Sequence, residues 1–262
     1  MNLLRLITAR GGSPYDPNAQ AFITAAGITN ATQKTAINQL VLDLKSYGLW
    51  TKMKAVYPFV GGTATTHKYN LINPLDTNAA YRMGFTGPWV HDANGITGNG
   101  VTGANATQGN TYINASTKLS LNNASISIYI RTDNSGNYVD MSTPGGTLTP
   151  TIQVRLNDTT YFHVGAGTYS TAAASTSLGY YLASRTSSTN QILYRNGSSI
   201  INGAVNSTAM VNDNIYINGY NNGYITNRNY AFCTVGEGLD ATEAANLYTA
   251  VQAYQTRLGR QV

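Results

Sequence analysis

Residues 191–201 read QILYRNGSSII, and they open a series of short extended segments near the C-terminus. Asn196-Gly197 separates two extended runs and predicts a two-residue hairpin, because both central residues of a type I′ turn need positive φ. Asn214–Asn218 alternates polar and apolar residues and indicates a further strand. Asn229–Gly236 is almost continuous in apolar and β-favouring residues, so we expect a strand that is buried on both sides.

An amphipathic helix is expected to follow these strands. Asp240 is a favourable N-cap, and Glu243, three residues later, can complete a capping box. Apolar side chains recur at helical spacing on one face, and Gly259 follows them as a stop. These side chains are Ala244, Leu247, Val251, Tyr254 and Leu258.

This order resembles the end of concanavalin A-like (laminin G-like) jelly rolls. The shared features are a hairpin with Y-x-N-G (194–197), a strand that ends in Gly, a last central strand and G-L-x-x-x-E (238–243) at a helix start. More narrowly, YGLWTKMKAVYPFVGG (47–62) and LYTAVQAYQTRLGRQV (247–262) are similar to such domains in tailed-bacteriophage virion proteins. The resemblance covers residues 17–262. It implies an antiparallel β-sandwich of concanavalin A-like jelly-roll type, with an N-terminal helical hairpin and a C-terminal helix.

The chain divides into three predicted parts. Residues 1–15 form an N-terminal arm whose apolar side chains have no local partner. The arm is either a frayed terminus or added strand, or a virion anchor formed by Leu3, Leu4, Leu6 and Ile7. Residues 16–50 predict a helical hairpin that begins at Asp16-Pro17. Residues 51–262 predict the jelly-roll domain, including a C-terminal helix at 240–258, and within it Ser125–Ile130 predicts a strand with one wet face.

Composition excludes several classes of function. Charged residues make up 10% of the chain, and the net charge of +5 includes no basic block, which argues against a nucleic-acid partner. The sequence contains no apolar run of about 20 residues, so we expect no membrane insertion. Cys233 is the single cysteine and is expected to be a small buried hydrophobe. A protein made in the cytoplasm of a bacterial host and assembled into a virion fits this composition.

Catalysis is not expected. The concanavalin A-like fold hosts both lectins and glucan hydrolases, and the hydrolases carry Glu-x-Asp-x-Glu on one strand because a retaining mechanism needs two carboxyl groups about 5 Å apart. This chain has two glutamates, Glu237 and Glu243, and they flank the N-cap Asp240 at a helix start instead. A polysaccharide hydrolase remains an outside alternative.

Two groups of residues are candidates for carbohydrate binding, since aromatic rings stack on sugars while Asn and Asp bond hydroxyl groups. The first group is Trp89, His91 and Asp92, and the second is Tyr220, Asn221, Asn222 and Tyr224. The alternative interpretation places Trp89 in the core and the tyrosines on ordinary sheet surface or at a subunit interface.

No cofactor is predicted, although calcium binding is kept as an alternative. Laminin G-like domains often hold calcium through loop Asp and Asn side chains, and Asp76, Asn78 and Asp213 are the candidates here. Asn and Asp in turns also bond to their own backbone, which is the competing explanation.

The expected function is therefore that of a non-enzymatic virion structural protein, a fibre, tail or head-decoration component. Its lectin-like sandwich is expected to contact host-surface carbohydrate. The alternative is a purely structural cementing or decoration protein without a ligand. Other virion proteins are the expected partners, and the resemblance to phage fibres implies a homo-oligomer, with a trimer as the leading case.

Overall fold

The computed structural model describes residues 14–144 and 150–262. The helices in these ranges are α1 Pro17–Ala25, α2 Ala31–Ser46, α3 Ala64–His67, α4 Ala115–Lys118 and α5 Ala241–Arg257. The strands are β1 Met53–Tyr57, β2 Gly84–Thr86, β3 Val90–Asp92, β4 Gly95–Thr97, β5 Gln108–Asn114, β6 Ala124–Ile130, β7 Met141–Ser142, β8 Thr151–Leu156, β9 Thr159–His163, β10 Ser170–Ala173, β11 Gly179–Arg185, β12 Gln191–Arg195, β13 Ser198–Gly203, β14 Asn214–Ile217 and β15 Asn229–Gly236.

The strands form two antiparallel sheets. An eight-stranded sheet has the order β13-β12-β11-β6-β15-β4-β3, with β1 also paired to β15. A seven-stranded sheet has the order β10-β9-β8-β7-β14-β5-β2. The predicted antiparallel β-sandwich, with helices at the N-terminal side and a C-terminal helix, is confirmed. None of the helices in the described ranges combines the length and the apolar character that a membrane span requires.

A first hydrophobic core fills the space between the sheets. Alternate residues of each strand point inward, because successive side chains of a strand lie on opposite faces. The inward residues include Ile126 and Ile128 of β6, Ile152 and Val154 of β8, Phe162 of β9, and Ile215 and Ile217 of β14. In the seven-stranded sheet, the residues next to these inward-facing ones therefore point away from the core.

A second core lies between the eight-stranded sheet and a layer formed by α1, α2 and α5. Leu40 and Leu44 of α2 and Leu247 of α5 belong to the same buried cluster as Tyr129 and Phe232 of the sheet. The eight-stranded sheet is therefore covered on both faces. The seven-stranded sheet contributes its inner face to the core between the sheets, and its outer face lies on the side away from the helix layer.

Several local predictions are confirmed. Asn196 and Gly197 have φ values of 49° and 78°, as the hairpin turn between β12 and β13 requires. Asp240 and Glu243 make both bonds of the capping box at the start of α5. All eight residues of β15 are buried. Cys233 of this strand is a buried free thiol, and burial raises its pKa well above the ordinary value.

The prediction of a wet face for residues 125–130 is wrong. All seven residues of β6 are buried, because the helix layer covers the face that carries Ser127 and Tyr129. The polar side chains on that face are satisfied internally: the Ser127 and Thr234 hydroxyls are 2.5 Å apart, and Ser125 donates to the Glu237 carbonyl at 2.6 Å. The anchor predicted at Leu3, Leu4, Leu6 and Ile7 lies outside the described residues.

Candidate functional site

The outer face of the seven-stranded sheet is polar and rich in tyrosine. Its side chains alternate with the core residues and so point away from the sandwich. In sequence order they are Thr86, Gln108, Asn110, Tyr112, Ser142, Thr151, Gln153, Arg155, Tyr161, His163, Asn214 and Tyr216. Ser142, Thr151 and His163 are buried despite this orientation, so hydrogen bonds and ring surfaces are offered to a ligand mainly at the remaining positions.

A groove of about 460 Å³ lies on this face across β2, β5 and β14. Its volume falls within the range of about 300 to 1,000 Å³ that is typical of ligand sites. The lining combines strand residues with residues of two loops: Gly84, Phe85, Thr86, Ala104, Ala106, Gln108, Asn110, Tyr112, Tyr216 and Asn222. None of these side chains carries a formal charge.

A β-bulge directs Tyr112 into the groove. The pairing of β14 with β5 shifts register between Asn214 and Tyr216, and Tyr112 has a φ of 55°, which is unusual for a non-glycine residue. The Asn110 side-chain oxygen accepts the Tyr112 backbone N–H at 2.7 Å and fixes this conformation. Gly84 leaves room for the ring, since a Cβ there would lie 2.6 Å from the Tyr112 hydroxyl. The two residues together shape one wall.

Gln108 supplies an unused hydrogen-bond donor. Its side-chain oxygen accepts the Asn222 backbone N–H at 3.3 Å, and this bond fixes which end of the amide is oxygen. Its Nε2 is buried and has no hydrogen-bond partner within the described part of the chain. Leaving a buried donor unpaired costs about 1 to 3 kcal/mol, so an acceptor that reached it would be stabilised.

Asn110 and Tyr216 form a second polar pair. The Asn110 side-chain nitrogen donates to the Tyr216 hydroxyl at 3.2 Å. Burial raises the pKa of Tyr216, and the nearby Asp213 and Tyr112 raise it further. The phenol therefore keeps its proton at neutral pH, and it can donate to a ligand while it accepts from Asn110.

The loop that closes one side of the groove is a tight turn. Tyr220 and Gly223 exchange backbone hydrogen bonds at 2.9 and 3.3 Å, and the φ values of Asn221 and Asn222 are 48° and 59°. Asn tolerates such values better than most residues, which suits a type I′ turn. The Tyr220 and Tyr224 rings stack with centroids 5.1 Å apart. The predicted group Tyr220, Asn221, Asn222 and Tyr224 thus lies together beside the groove, and Asn222 lines it.

The predicted group Trp89, His91 and Asp92 is placed differently. Trp89 is 9% exposed and packs in the core between the sheets, where its indole N–H donates to the Gln108 carbonyl at 3.3 Å. It supports the strand that lines the groove and offers no open ring face. The His91 Nδ1 lies 3.0 Å from the His67 Nδ1, and the His91 ring packs edge-on against Phe85. The Asp92 carboxylate accepts the Asn94 backbone N–H at 2.7 Å. None of the three lines the groove.

The calcium candidates have other partners. Asp76 contacts the Lys68 and Arg82 side chains, at 2.5 and 3.0 Å, and these two bonds lower its pKa. The Asn78 side-chain oxygen accepts from the Arg82 Nε at 2.8 Å. Asp213 accepts the Asn214 backbone N–H at 2.6 Å. Within the described ranges, no group of three or more His, Cys, Asp or Glu residues is arranged to hold a metal ion.

A larger surface groove of about 900 Å³ runs along α1. Its walls are mainly apolar and include Tyr15, Pro17, Ala21, Pro74 and Leu75. A hydroxyl-rich ligand would find few polar partners there. We therefore take the smaller groove on the outer sheet face as the candidate functional site.

Sequence reasoning misses the three residues of β5 that line the site. Gln108, Asn110 and Tyr112 alternate with Gly109, Thr111 and Ile113, which is a period-2 pattern that could have indicated a strand. The Gly- and Asn-rich composition just before this segment favours turns and hides the pattern. Its strand partner, β14, lies about a hundred residues later, so the local sequence does not reveal the groove.

Comparison with solved structures shows the fold. The binding domain of botulinum neurotoxin DC in complex with rat synaptotagmin II is 13% identical, with a TM-score of 0.50 over 78% of this chain and 52% of that chain. The botulinum neurotoxin serotype G binding domain is also 13% identical, with a TM-score of 0.52 over 75% and 50%. A mutant of HCR/D is 10% identical, with a TM-score of 0.55 over 76% and 52%.

The present chain spans about half the length of each of these structures. No protein-family model matches the sequence, and no curated protein matches it either. At such low identity the likeness concerns the β-sandwich alone.

Proposed function

We propose that this protein is a non-enzymatic binding module whose groove on the seven-stranded sheet holds a saccharide of a host surface. One observation carries the proposal: the sheet face away from the helix layer holds a groove of about 460 Å³ whose lining of amides, hydroxyls and tyrosine rings includes no charged side chain. The structural neighbours support it in a general way, because two of them are binding domains of botulinum neurotoxins.

The chemistry of the groove matches that of a sugar. A sugar ring presents C–H groups on its faces and hydroxyl groups around its edge. Tyr112 and Tyr216 offer aromatic faces with polar tips, the mixed character that suits such a ligand. The unpaired Gln108 Nε2 can donate to a sugar oxygen, while Asn110 and Asn222 can both donate and accept.

Binding without cleavage is part of the proposal. The groove-lining residues include no Asp or Glu, whereas glycoside hydrolysis ordinarily uses two carboxyl groups that flank the scissile bond. Release of reducing sugar from a panel of bacterial polysaccharides would favour the outside alternative, a polysaccharide hydrolase, if that release were abolished by substitutions in the groove.

A glycan array tests the proposal. Wild-type protein is expected to give saturable signals on a small set of saccharides. Tyr216→Ala and Asn110→Ala are expected to reduce those signals strongly. Tyr47→Ala is the matched control, because Tyr47 is 37% exposed at the end of α2 in the helix layer. Equal loss in all three variants, or no signal for the wild type on a broad array, contradicts saccharide binding.

We propose further that the protein is made in a bacterial cytoplasm and belongs to a bacteriophage virion, as a fibre, tail or head-decoration component. The support is the resemblance of residues 47–62 and 247–262 to phage proteins of this type. The genes that flank the reading frame test this proposal. Portal, capsid or tail genes beside it are expected, and a bacterial metabolic operon would contradict it.

A purely structural role without a ligand is the second candidate. The tyrosines of the outer face favour it to the extent that Tyr is enriched at protein interfaces. In that case the face would be buried in a homo-oligomer, with a trimer as the expected form. Light scattering at micromolar concentration distinguishes a monomer from a homo-oligomer. A mass near the 28.0 kDa of one chain contradicts the oligomer.

A further inference from the structure

We infer that the ligand of the outer sheet face is an uncharged saccharide chain laid across several strands, and not a single acidic terminal sugar. This inference rests on the proposed saccharide-binding function and adds the chemical class and the length of the ligand. Two independent observations support it: the row of aromatic side chains that continues beyond the groove, and the distribution of charge on the same face.

The aromatic row begins inside the groove. Tyr112 of β5 and Tyr216 of β14 line it. The turn at 220–224 adds the stacked pair Tyr220 and Tyr224, and Tyr224 is 41% exposed. Because Asn222 of this turn lines the groove, the pair lies directly beside it.

The row continues at the opposite edge of the sheet. Tyr169, just before β10, stacks on His163 with centroids 4.3 Å apart and meets Tyr161 edge-on at 5.9 Å. Tyr169 is 40% exposed, as Tyr224 is at 41%, so both groups of rings present aromatic surface to solvent. Tyr161, His163 and Tyr169 therefore form a second ring group at the β9 and β10 side of the same sheet.

The row is long enough for a chain of sugars. Strands of a sheet lie about 4.8 Å apart, so the seven strands from β10 to β2 extend over roughly 30 Å. A single sugar ring would fill the groove alone and leave Tyr161, Tyr169 and Tyr224 without a role. A chain that crosses the strands can reach ring groups at both sides of the sheet.

The charges of this face favour a neutral ligand. Arg155, at the end of β8, is the charged residue among the outward-facing strand positions in the described ranges, and it is paired with Asp133 at 2.7 Å and Asp158 at 2.8 Å. Burial lowers the pKa of His163 to about 4, so this imidazole is neutral at physiological pH. An acidic sugar is normally bound by Arg or Lys. Near the groove, Lys68 and Arg82 are both engaged by Asp76.

Titration with saccharides of increasing length tests the inference. The probes are neutral dextran, mannan and chitin oligosaccharides from the monosaccharide to the hexasaccharide, together with oligosialic acids of matched length. The dissociation constant of the best neutral series is expected to fall by about tenfold or more from the disaccharide to the hexasaccharide. Oligosialic acid is expected to bind more weakly at every length.

Variants at the far end of the aromatic row distinguish the contribution of ligand chain length from binding in the groove itself. Tyr161→Ala is expected to weaken binding of the hexasaccharide toward the affinity of the trisaccharide and to leave the trisaccharide unchanged. Tyr169→Ala, at a side chain that is 40% exposed and contacts Tyr161, gives a second variant if Tyr161→Ala fails to fold. Tyr47→Ala in the helix layer is the control and is expected to bind every length as the wild type does.

The outcomes distinguish the two proposals. Groove-dependent binding that does not increase with chain length, or that is stronger for oligosialic acid, overturns this inference and leaves saccharide binding standing. Absence of binding to every probe and to the glycan array overturns the proposed function itself, and this inference with it.

Discussion

Arg228 and Asp140 form an ion pair that is fully buried in the sandwich, with the Arg228 Nη1 2.8 Å from both carboxylate oxygens. The Tyr230 hydroxyl donates to Asp140 at 3.0 Å, and the Val154 backbone N–H donates to it at 2.8 Å. Asp140 thus satisfies donors from both sheets. The backbone carbonyl of Asp140 also accepts the Asn218 N–H at 2.9 Å, next to the turn beside the groove.

Asp140→Ala is expected to lower the free energy of unfolding by about 3 to 5 kcal/mol, because it leaves the Arg228 charge buried without its partner. Urea unfolding followed by fluorescence measures this change. Asp76→Asn is the control, since it breaks a surface pair in which Asp76 is 43% exposed and is expected to cost about 1 kcal/mol or less. Equal effects of the two substitutions would contradict a special role for the buried pair.

Stability is expected to fall between about pH 7 and pH 5 because two buried histidines are neutral in the folded protein. Burial, with His91 and Arg260, lowers the pKa of His67 from 6.5 to about 3, and burial lowers that of His163 to about 4. Below pH 6.5 the unfolded chain binds protons on these histidines that the folded chain does not. The stability that the folded protein gains from keeping them neutral is therefore complete above pH 6.5 and is lost as the pH falls.

The expected loss is about 2 kcal/mol for each of these histidines at pH 5. Urea unfolding at pH 7 and at pH 5 measures this loss. His67→Gln should reduce the dependence on pH, because Gln can still accept the Gly62 N–H that His67 Nε2 accepts at 3.1 Å. A stability that is constant over this range would contradict the buried, neutral state.

Gly84→Ala is expected to weaken saccharide binding and to leave stability almost unchanged. The new methyl group would meet the end of the Tyr112 side chain, which can swing away but then no longer forms the groove wall. An increase in the dissociation constant of about fivefold corresponds to about 1 kcal/mol. Calorimetric titration measures it, with Tyr112→Phe as a variant that keeps the ring. Wild-type affinity in Gly84→Ala would contradict this description of the wall.

Arg260 is expected to hold the C-terminal tail in place. Its guanidinium is buried, makes no ion pair with a carboxylate in residues 14–144 and 150–262, and donates to the carbonyls of Pro58, Phe59 and Ala231 and to the Gln255 side chain at 2.6 to 3.0 Å. Arg260→Lys is expected to cost about 2 kcal/mol or more, since an ammonium cannot reproduce this planar set of bonds.

Thermal unfolding compares this variant with Arg257→Lys, a change at an exposed position in the last turn of α5. The exposed change is expected to be close to neutral. If Arg260→Lys were equally neutral, the tail would not depend on the guanidinium.

The sequence predicts those turns, helix caps and strands that depend on a few neighbouring residues. The turn at Asn196-Gly197, the capping box of Asp240 and Glu243, and the buried strand at 229–236 all follow from short segments. The wet face predicted at 125–130 is wrong because a helix layer distant in sequence covers it. For Trp89, the core position given as the alternative interpretation is the one found, and its indole N–H bonds to the Gln108 carbonyl.

The groove itself depends on contacts that no local pattern contains. Its walls join β5 to β14, and the bulge at Tyr112 arises from the register of that pair. The second predicted group, at 220–224, is found beside the groove because a turn with this composition must be exposed between two strands. The contact of this turn with Gln108 depends on the pairing of β14 with β5, which the local sequence does not show.

A crystal structure of the protein with its best-binding array saccharide is the most direct test of the central claim. We predict that the sugar lies on the outer face of the seven-stranded sheet, with an oxygen within hydrogen-bond distance of Gln108 Nε2 and a ring against Tyr112 or Tyr216. A sugar bound in the apolar groove along α1, or anywhere on the helix layer, would contradict this account.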